Sequence, residues 1–141
     1  MNELNIEIKI VDSWKESEIV ELYKSAGWWK NNYDSSKINF MIKGSFAFAV
    51  AVEKKLHKAV GMGRVISDGI SDAYIQDLVV LQEYQDSGIG KRIAKALLEF
   101  CISKKIIWVG LIAEPEQSGF YSNIGFKSLN DYTPMKYEKD D

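Results

Sequence analysis

Tyr74-Ile75-Gln76-Asp77-Leu78-Val79-Val80-Leu81, followed shortly by Gln85-Asp86-Ser87-Gly88-Ile89-Gly90, decides how this chain folds. The first stretch is apolar and bounded by turn residues, so it reads as a central strand. The second opens a helix: Ile89, Ile93, Ala96, Leu97, Phe100 and Cys101 recur at helical spacing, while Lys91, Arg92, Lys95 and Glu99 fall on the opposite face. Two glycines at a strand-to-helix turn leave backbone N–H groups bare at the positive end of the helix. That is the physical recipe for holding a phosphate or pyrophosphate. Strand, anion-binding turn and helix therefore form one unit.

Outward from that unit, residues 6–11 read as a short strand, and Ser13 or Ser17 as the cap of a helix through Ile19, Val20, Leu22 and Tyr23 that stops near Gly27. A second short helix is expected from Ser35 or Ser36 to Gly44. Residues 46–52 and 58–67 read as a hairpin around a turn at 53–57, and Asp68-Gly69 separates it from the Tyr74 strand, giving an antiparallel meander. Residues 106–112 are expected as a strand parallel to the Tyr74 strand, reached by a crossover through the helix. Pro115 suits the first turn of a late helix and Gly125 its end. Residues 126–129 and 135–137 then complete the sheet, with Pro134 opening the last strand and only residues 138–141 fraying.

At 141 residues and 46% hydrophobic, the chain suits one domain, 1–141, since a domain of roughly 150 residues buries about 70% of its extended surface. A formal charge of -2, with both signs interspersed, argues against a nucleic-acid partner or a membrane surface that needs a basic stripe. The first residues show no basic segment followed by an apolar core, so no secretory signal is read there, and no apolar run approaches the ~20 residues that span a bilayer. The single cysteine, Cys101, cannot form an internal disulfide and falls on the apolar stripe of the central helix, which fits core packing in a reducing, cytoplasmic setting. No metal-binding cluster is read. The only histidine, His57, falls in the hairpin turn and is expected at the surface, and Trp14 and Trp108 are expected as core anchors.

The run from Leu78 through Glu83-Tyr84-Gln85 to Gly88-Ile89-Gly90 resembles the acetyl-CoA-binding motif of the GCN5-related N-acetyltransferases (GNAT), whose signature is Gln or Arg, two residues, Gly, one residue, then Gly or Ala. Downstream, Phe120-Tyr121-Ser122-Asn123-Ile124-Gly125-Phe126 is similar to the family's second recurring segment, an aromatic pair on a late helix followed by Gly-Phe. Three positions depart from the pattern: Asp86 where a small residue is common, Gln82 where proline is frequent, and Glu114-Pro115-Glu116 without the usual asparagine. A carboxylate at 86 would repel a pyrophosphate if it turned inward, so it is expected to face solvent or cap the helix. The resemblance implies the GNAT fold: a mixed α/β (α+β) sheet of about six to seven strands, flanked by about four helices, with a V-shaped splay between the fourth and fifth strands.

What the resemblance implies for chemistry follows residue by residue. Splayed strands leave backbone groups unpaired, and the pantetheine of acetyl-CoA would satisfy them like an added strand. Backbone amides near Leu78, Val79 and Val80 would hold the pantetheine and acetyl carbonyl, and those of Gln85, Asp86, Ser87, Gly88, Ile89, Gly90 and Lys91 the pyrophosphate. Lys91 and Arg92 either add charge near the phosphates or form a solvated helix face. The implied reaction is direct acetyl transfer from the thioester to an amine. A free alkylamine with pKa ~10.4 stands roughly three units above neutral pH, so presenting it unprotonated costs about 4 kcal/mol without a base or desolvation. Tyr121 stands at the family's general-acid position; its other reading is an aromatic bridging helix and sheet. Asp77 is the candidate base, set by strand alternation on the side of Ile75 and Val79, or else a solvated carboxylate.

Gly27-Trp28-Trp29-Lys30-Asn31-Asn32-Tyr33 is an unusual connection, because two adjacent tryptophans cannot both face one side of a helix. In the resembling family this region helps wall the acceptor site, so Trp28, Trp29 and Tyr33 either bind the acceptor amine, by stacking or cation–π contact, or serve the core or a homodimer contact. The leading expectation is an N-acetyltransferase acting on a small-molecule amine, with a peptide or protein acceptor as a variant. A non-catalytic acyl-CoA-binding module is the rival.

Overall fold

The first four strands form an antiparallel meander. β1 (Ile6–Ile10) pairs with β2 (Ala47–Glu53), β2 with β3 (Lys58–Ser67), and β3 with β4 (Ala73–Val80). β5 (Val109–Gly110) joins β4 in parallel, giving the order β1-β2-β3-β4-β5. Every residue of β2 is buried, as expected of a strand with both faces covered. This computed structural model describes residues 5–139, so the reading of the first residues and the fraying of the last two fall outside it. The chain divides into two units, Met1–Leu111 and Ile112–Asp141.

Among the described residues of the first unit, three helices cover the sheet: α1 (Glu16–Ser25), α2 (Ile38–Gly44) and α3 (Ile89–Ser103). α3 buries Ile89, Ile93, Ala94, Leu97 and Cys101 on one face, each large aliphatic side chain contributing about 1.5–3 kcal/mol. Its approach needs a glycine at 63. A Cβ there would stand 3.0 Å from Leu97 Cδ1 and 3.1 Å from Ile93 Cγ2. α1 buries Ile19, Leu22 and Tyr23. It lies over the other face, where Arg64, the neighbour of Gly63 in β3, turns. No helix among the described residues is long and apolar enough to cross a membrane.

Several local expectations are corrected. Neither Ser13 nor Ser17 caps α1, whose N-cap is Lys15 without a side-chain bond. Tertiary contacts hold that corner instead: Trp14 N donates to Asn39 Oδ1, and Glu18 Oε1 accepts from Trp14 Nε1 and Ala59 N. The helix expected from Ser35 or Ser36 to Gly44 does begin there, as a 3-10 turn over Ser35–Lys37 that runs on into α2, and Asp34 caps it by accepting from Ser36 N at 3.0 Å. In the second unit, α4 (Ser118–Ser122) starts after Pro115, because a separate turn closes first through Gln117 N and Glu114 O.

Among the described residues the strand count is five rather than six to seven. β5 spans two residues of the expected 106–112, and residues 126–129 and 135–137 form no strand. A strand exists only through pairing, and neither segment joins a ladder; Leu129, Met135 and Tyr137 are exposed. Trp108 is no core anchor either: it is 45% exposed and packs edge-on against Tyr74, 5.6 Å between centroids. Trp14 is half-buried, and His57 lies exposed near it.

Candidate active site

The centre of β4 departs from regular pairing. Met62 faces Val79 and Arg64 faces Gln76, so two residues, Asp77 and Leu78, stand opposite Gly63 alone. This is a β-bulge, and Asp77 takes the left-handed conformation at φ +60°. Asp tolerates that region better than most residues, yet it still stores on the order of 1 kcal/mol. The bulge overturns simple alternation. Asp77 shares the α1 face with Val79 but not with Ile75, while Leu78 turns to the α3 face, its Cδ1 3.1 Å from where a Gly63 Cβ would sit.

On that face the Asp77 carboxylate has two partners. Its Oδ2 accepts from Arg64 Nε at 2.8 Å and from Tyr23 Oη at 2.7 Å. Both charged side chains are mostly covered, 19% and 24% exposed, so the pair is far less screened than a surface bridge. Burial, then the Asp77 charge, pushes the Tyr23 phenol well above its ordinary range, so it stays protonated as a donor. Met41 Sδ lies 3.3 Å from the same hydroxyl. Sequence reasoning missed both partners. Tyr23 passed as one more member of the α1 apolar stripe; Arg64 carried a usable signal, a lone cation in the otherwise apolar strand Ala59 to Ile66.

Beyond Tyr74, none of the described residues pairs with the outer edge of β4. The β4–β5 ladder consists of Ala73 with Val109 and Tyr74 with Gly110, so from Ile75 to Val80 that edge is open. This is the expected splay. Leu78, Val79 and Val80 along it are half-buried.

The open edge runs into the α3 start. Gln85 curls back to donate from Nε2 to Val80 O at 2.9 Å, and the Ser87 hydroxyl donates to Tyr84 O, so both side chains brace the turn. Gly88 is the α3 N-cap at φ +82°, with no side-chain cap bond and nothing within 4 Å of an added Cβ. The first helical bond recorded is Arg92 N to Gly88 O, which leaves the amides of Ile89, Gly90 and Lys91 without intrahelical acceptors. Open space above uncapped amides fits a pyrophosphate. Asp86 is exposed and caps nothing, so it faces solvent. Lys91 is exposed, whereas Arg92 donates from Nη2 to Ile6 O at 3.0 Å and ties α3 to β1 instead of standing free.

Trp28 and Trp29 are both half-buried and both pack on Tyr23, each with 6.3 Å between ring centroids. Trp29 meets Tyr33 edge-on at 5.4 Å, and Tyr33 is 47% exposed. The aromatic segment and Asp77, separate in sequence, thus meet at Tyr23. In the second unit, Tyr121 packs edge-on against Phe120 at 4.9 Å and Phe126 at 6.0 Å. Burial first, and the Glu114 charge second, raise its phenol above the ordinary value.

Comparison with known proteins agrees with this geometry. The family model for the acetyltransferase (GNAT) domain matches residues 19–137. An uncharacterized N-acetyltransferase of Pyropia yezoensis is 32% identical over 111 residues, 77% of this chain and 63% of that protein. The chloroplastic GCN5-related N-acetyltransferase 1 of Arabidopsis thaliana is 33% identical over 95 residues, 67% of this chain and 48% of its own. The chain thus spans about half to two thirds of these relatives' lengths. A GNAT-family acetyltransferase structure from Streptococcus pneumoniae superimposes with a TM-score of 0.79 at 30% identity, covering 97% of this chain and 100% of that one. With the open β4 edge, the uncapped α3 start and a family match through most of its length, this chain belongs to the GNAT acetyltransferases.

Proposed function

We propose that the chain acts as one acetyltransferase domain that moves the acetyl group of acetyl-CoA onto a primary amine of a small molecule, by direct attack in a ternary complex. The observation that carries the acceptor side is the meeting of Trp28, Trp29 and Asp77 at Tyr23, beside the open edge of β4. That arrangement sets a carboxylate and aromatic rings together, which suits an amine presented on a compact apolar body. The family match runs through residues of both units, which supports reading them as one catalytic domain.

In this reading the backbone of Leu78, Val79 and Val80 holds the pantetheine and polarises the thioester carbonyl, and the turn from Gln85 to Lys91 holds the pyrophosphate. The amine nitrogen forms a bond to the carbonyl carbon, the C–S bond breaks, and the nitrogen sheds its surplus proton to the Asp77 carboxylate or to water. Tyr121 gives the departing thiolate its proton, a role its raised phenol suits because it remains protonated. In the same reading, backbone donors near Leu78 stabilise the tetrahedral oxyanion.

The test is thiol release from acetyl-CoA across polyamines, amino sugars, aminoglycosides, arylamines, amino acids and peptides. Turnover with one class of small amine is the expected result. Turnover with peptides alone would move the acceptor to proteins, and tight acetyl-CoA binding with no turnover on any amine would make the chain a binding module.

A further inference from the structure

We propose that Tyr23 and Arg64 are positioning residues of the transfer reaction, which together clamp one oxygen of Asp77 and leave the other for the acceptor amine. The inference rests on the acceptor reading above. Its basis is geometric. Tyr23 Oη and Arg64 Nε both bond the same atom, Asp77 Oδ2, at 2.7 and 2.8 Å, and among the described residues none donates to Oδ1. A carboxylate gripped on one oxygen keeps a fixed plane, so its second oxygen presents lone pairs in a constant direction.

The clamp also explains how Asp77 persists in a left-handed conformation at φ +60° on a strand. Such a conformation lasts only when surrounding contacts over-determine it, and two charge-assisted bonds from two different elements, α1 and β3, do that here. Tyr23 has a second duty, because Trp28 and Trp29 both pack on its ring. One side chain therefore sets the aromatic segment relative to the carboxylate. Loss of its hydroxyl should disturb delivery of the amine while leaving cofactor binding alone, since the amides of Ile89, Gly90 and Lys91 lie on α3.

The experiment is a mutant cycle of Tyr23→Phe, Asp77→Asn and the double variant, read with the amine that releases thiol fastest. Tyr23→Phe keeps the ring beneath both tryptophans. The expected result is about a tenfold loss of acceptor kcat/KM in Tyr23→Phe, with acetyl-CoA Kd changed by no more than about twofold, a loss at least as large in Asp77→Asn, and no further loss when Tyr23→Phe is added to Asp77→Asn. Arg64→Lys, which keeps the charge but not the planar donor, should show the same non-additive pattern and serves if Tyr23→Phe does not fold. Parent kcat/KM in Tyr23→Phe alongside a crippled Asp77→Asn, or losses that multiply in the double variant, overturns the positioning role. An Asp77→Asn protein with unchanged acceptor constants removes the acceptor reading itself, a different result from the failure of Tyr23 alone.

Discussion

Asp77 Oδ2 accepts a hydrogen bond from Arg64 Nε at 2.8 Å, so a mostly covered carboxylate at a bulge of β4 is neutralised by a cation from the adjoining strand. Arg64→Leu would leave that carboxylate without its charge partner. A loss of about 1–3 kcal/mol is expected, seen as a melting temperature lower by several degrees. Asp77→Gly should melt above Asp77→Ala by roughly 1 kcal/mol, because both lose the bonds but only glycine accepts φ +60° freely. Equal melting of the two would argue against the bulge geometry.

Gly88 predicts a separable effect on the cofactor. Open space surrounds an added Cβ, so Gly88→Val meets no clash in the protein alone; its φ of +82° instead imposes backbone strain of about 1–2 kcal/mol. The side chain would fill the space above the α3 amides. Calorimetry on folded variants should therefore find acetyl-CoA affinity weakened at least tenfold in Gly88→Val and in Gly90→Val. Unchanged affinity in both would move the pyrophosphate elsewhere.

The aromatic segment offers a graded series. Tyr33 is 47% exposed, so Tyr33→Ala should alter stability by less than about 1 kcal/mol, whereas Trp28→Ala and Trp29→Ala remove packing on Tyr23 and should cost about 1–3 kcal/mol. If the segment binds acceptor, the acceptor Michaelis constant rises in all three and that for acetyl-CoA holds. Activity falling only in step with melting temperature, with neither constant shifted selectively, would make the rings packing alone.

Tyr121→Phe keeps the edge-on contacts with Phe120 and Phe126 and removes the hydroxyl. Turnover should fall about a hundredfold with acetyl-CoA affinity intact. The phenol must be protonated to act, and burial and Glu114 raise its pKa, so the parent rate should persist past the ordinary tyrosine value of about 10 and decline as pH climbs through the raised one. Stability follows the same sign. The folded state holds this proton more tightly than the unfolded chain, so the contribution is complete below pH about 10 and is lost at higher pH. Parent turnover by Tyr121→Phe across the alkaline range would remove the hydroxyl from the chemistry.

The meander, the central strand, the glycine turn and the amphipathic α3 are legible in residue order alone, because these rest on local physics: apolar runs bounded by turn residues, period-3.6 burial, and glycine where a helix begins with φ +82°. Residues 58–67 read as a strand and are one, and the helix expected to open at the glycine turn and carry Ile89 to Cys101 spans Ile89–Ser103. Tertiary structure alone decided the rest. A bulge is a mismatch between two strands, so nothing in Gln76-Asp77-Leu78 announces that Asp77 turns to α1. The partners Tyr23 and Asp77 lie 54 positions apart, and only the packing of α1 on β3 and β4 sets phenol against carboxylate. For the same reason the expectation at 126–129 and 135–137 misled: apolar residues between turns mark a segment able to become a strand, and only a neighbour with free backbone groups makes it one.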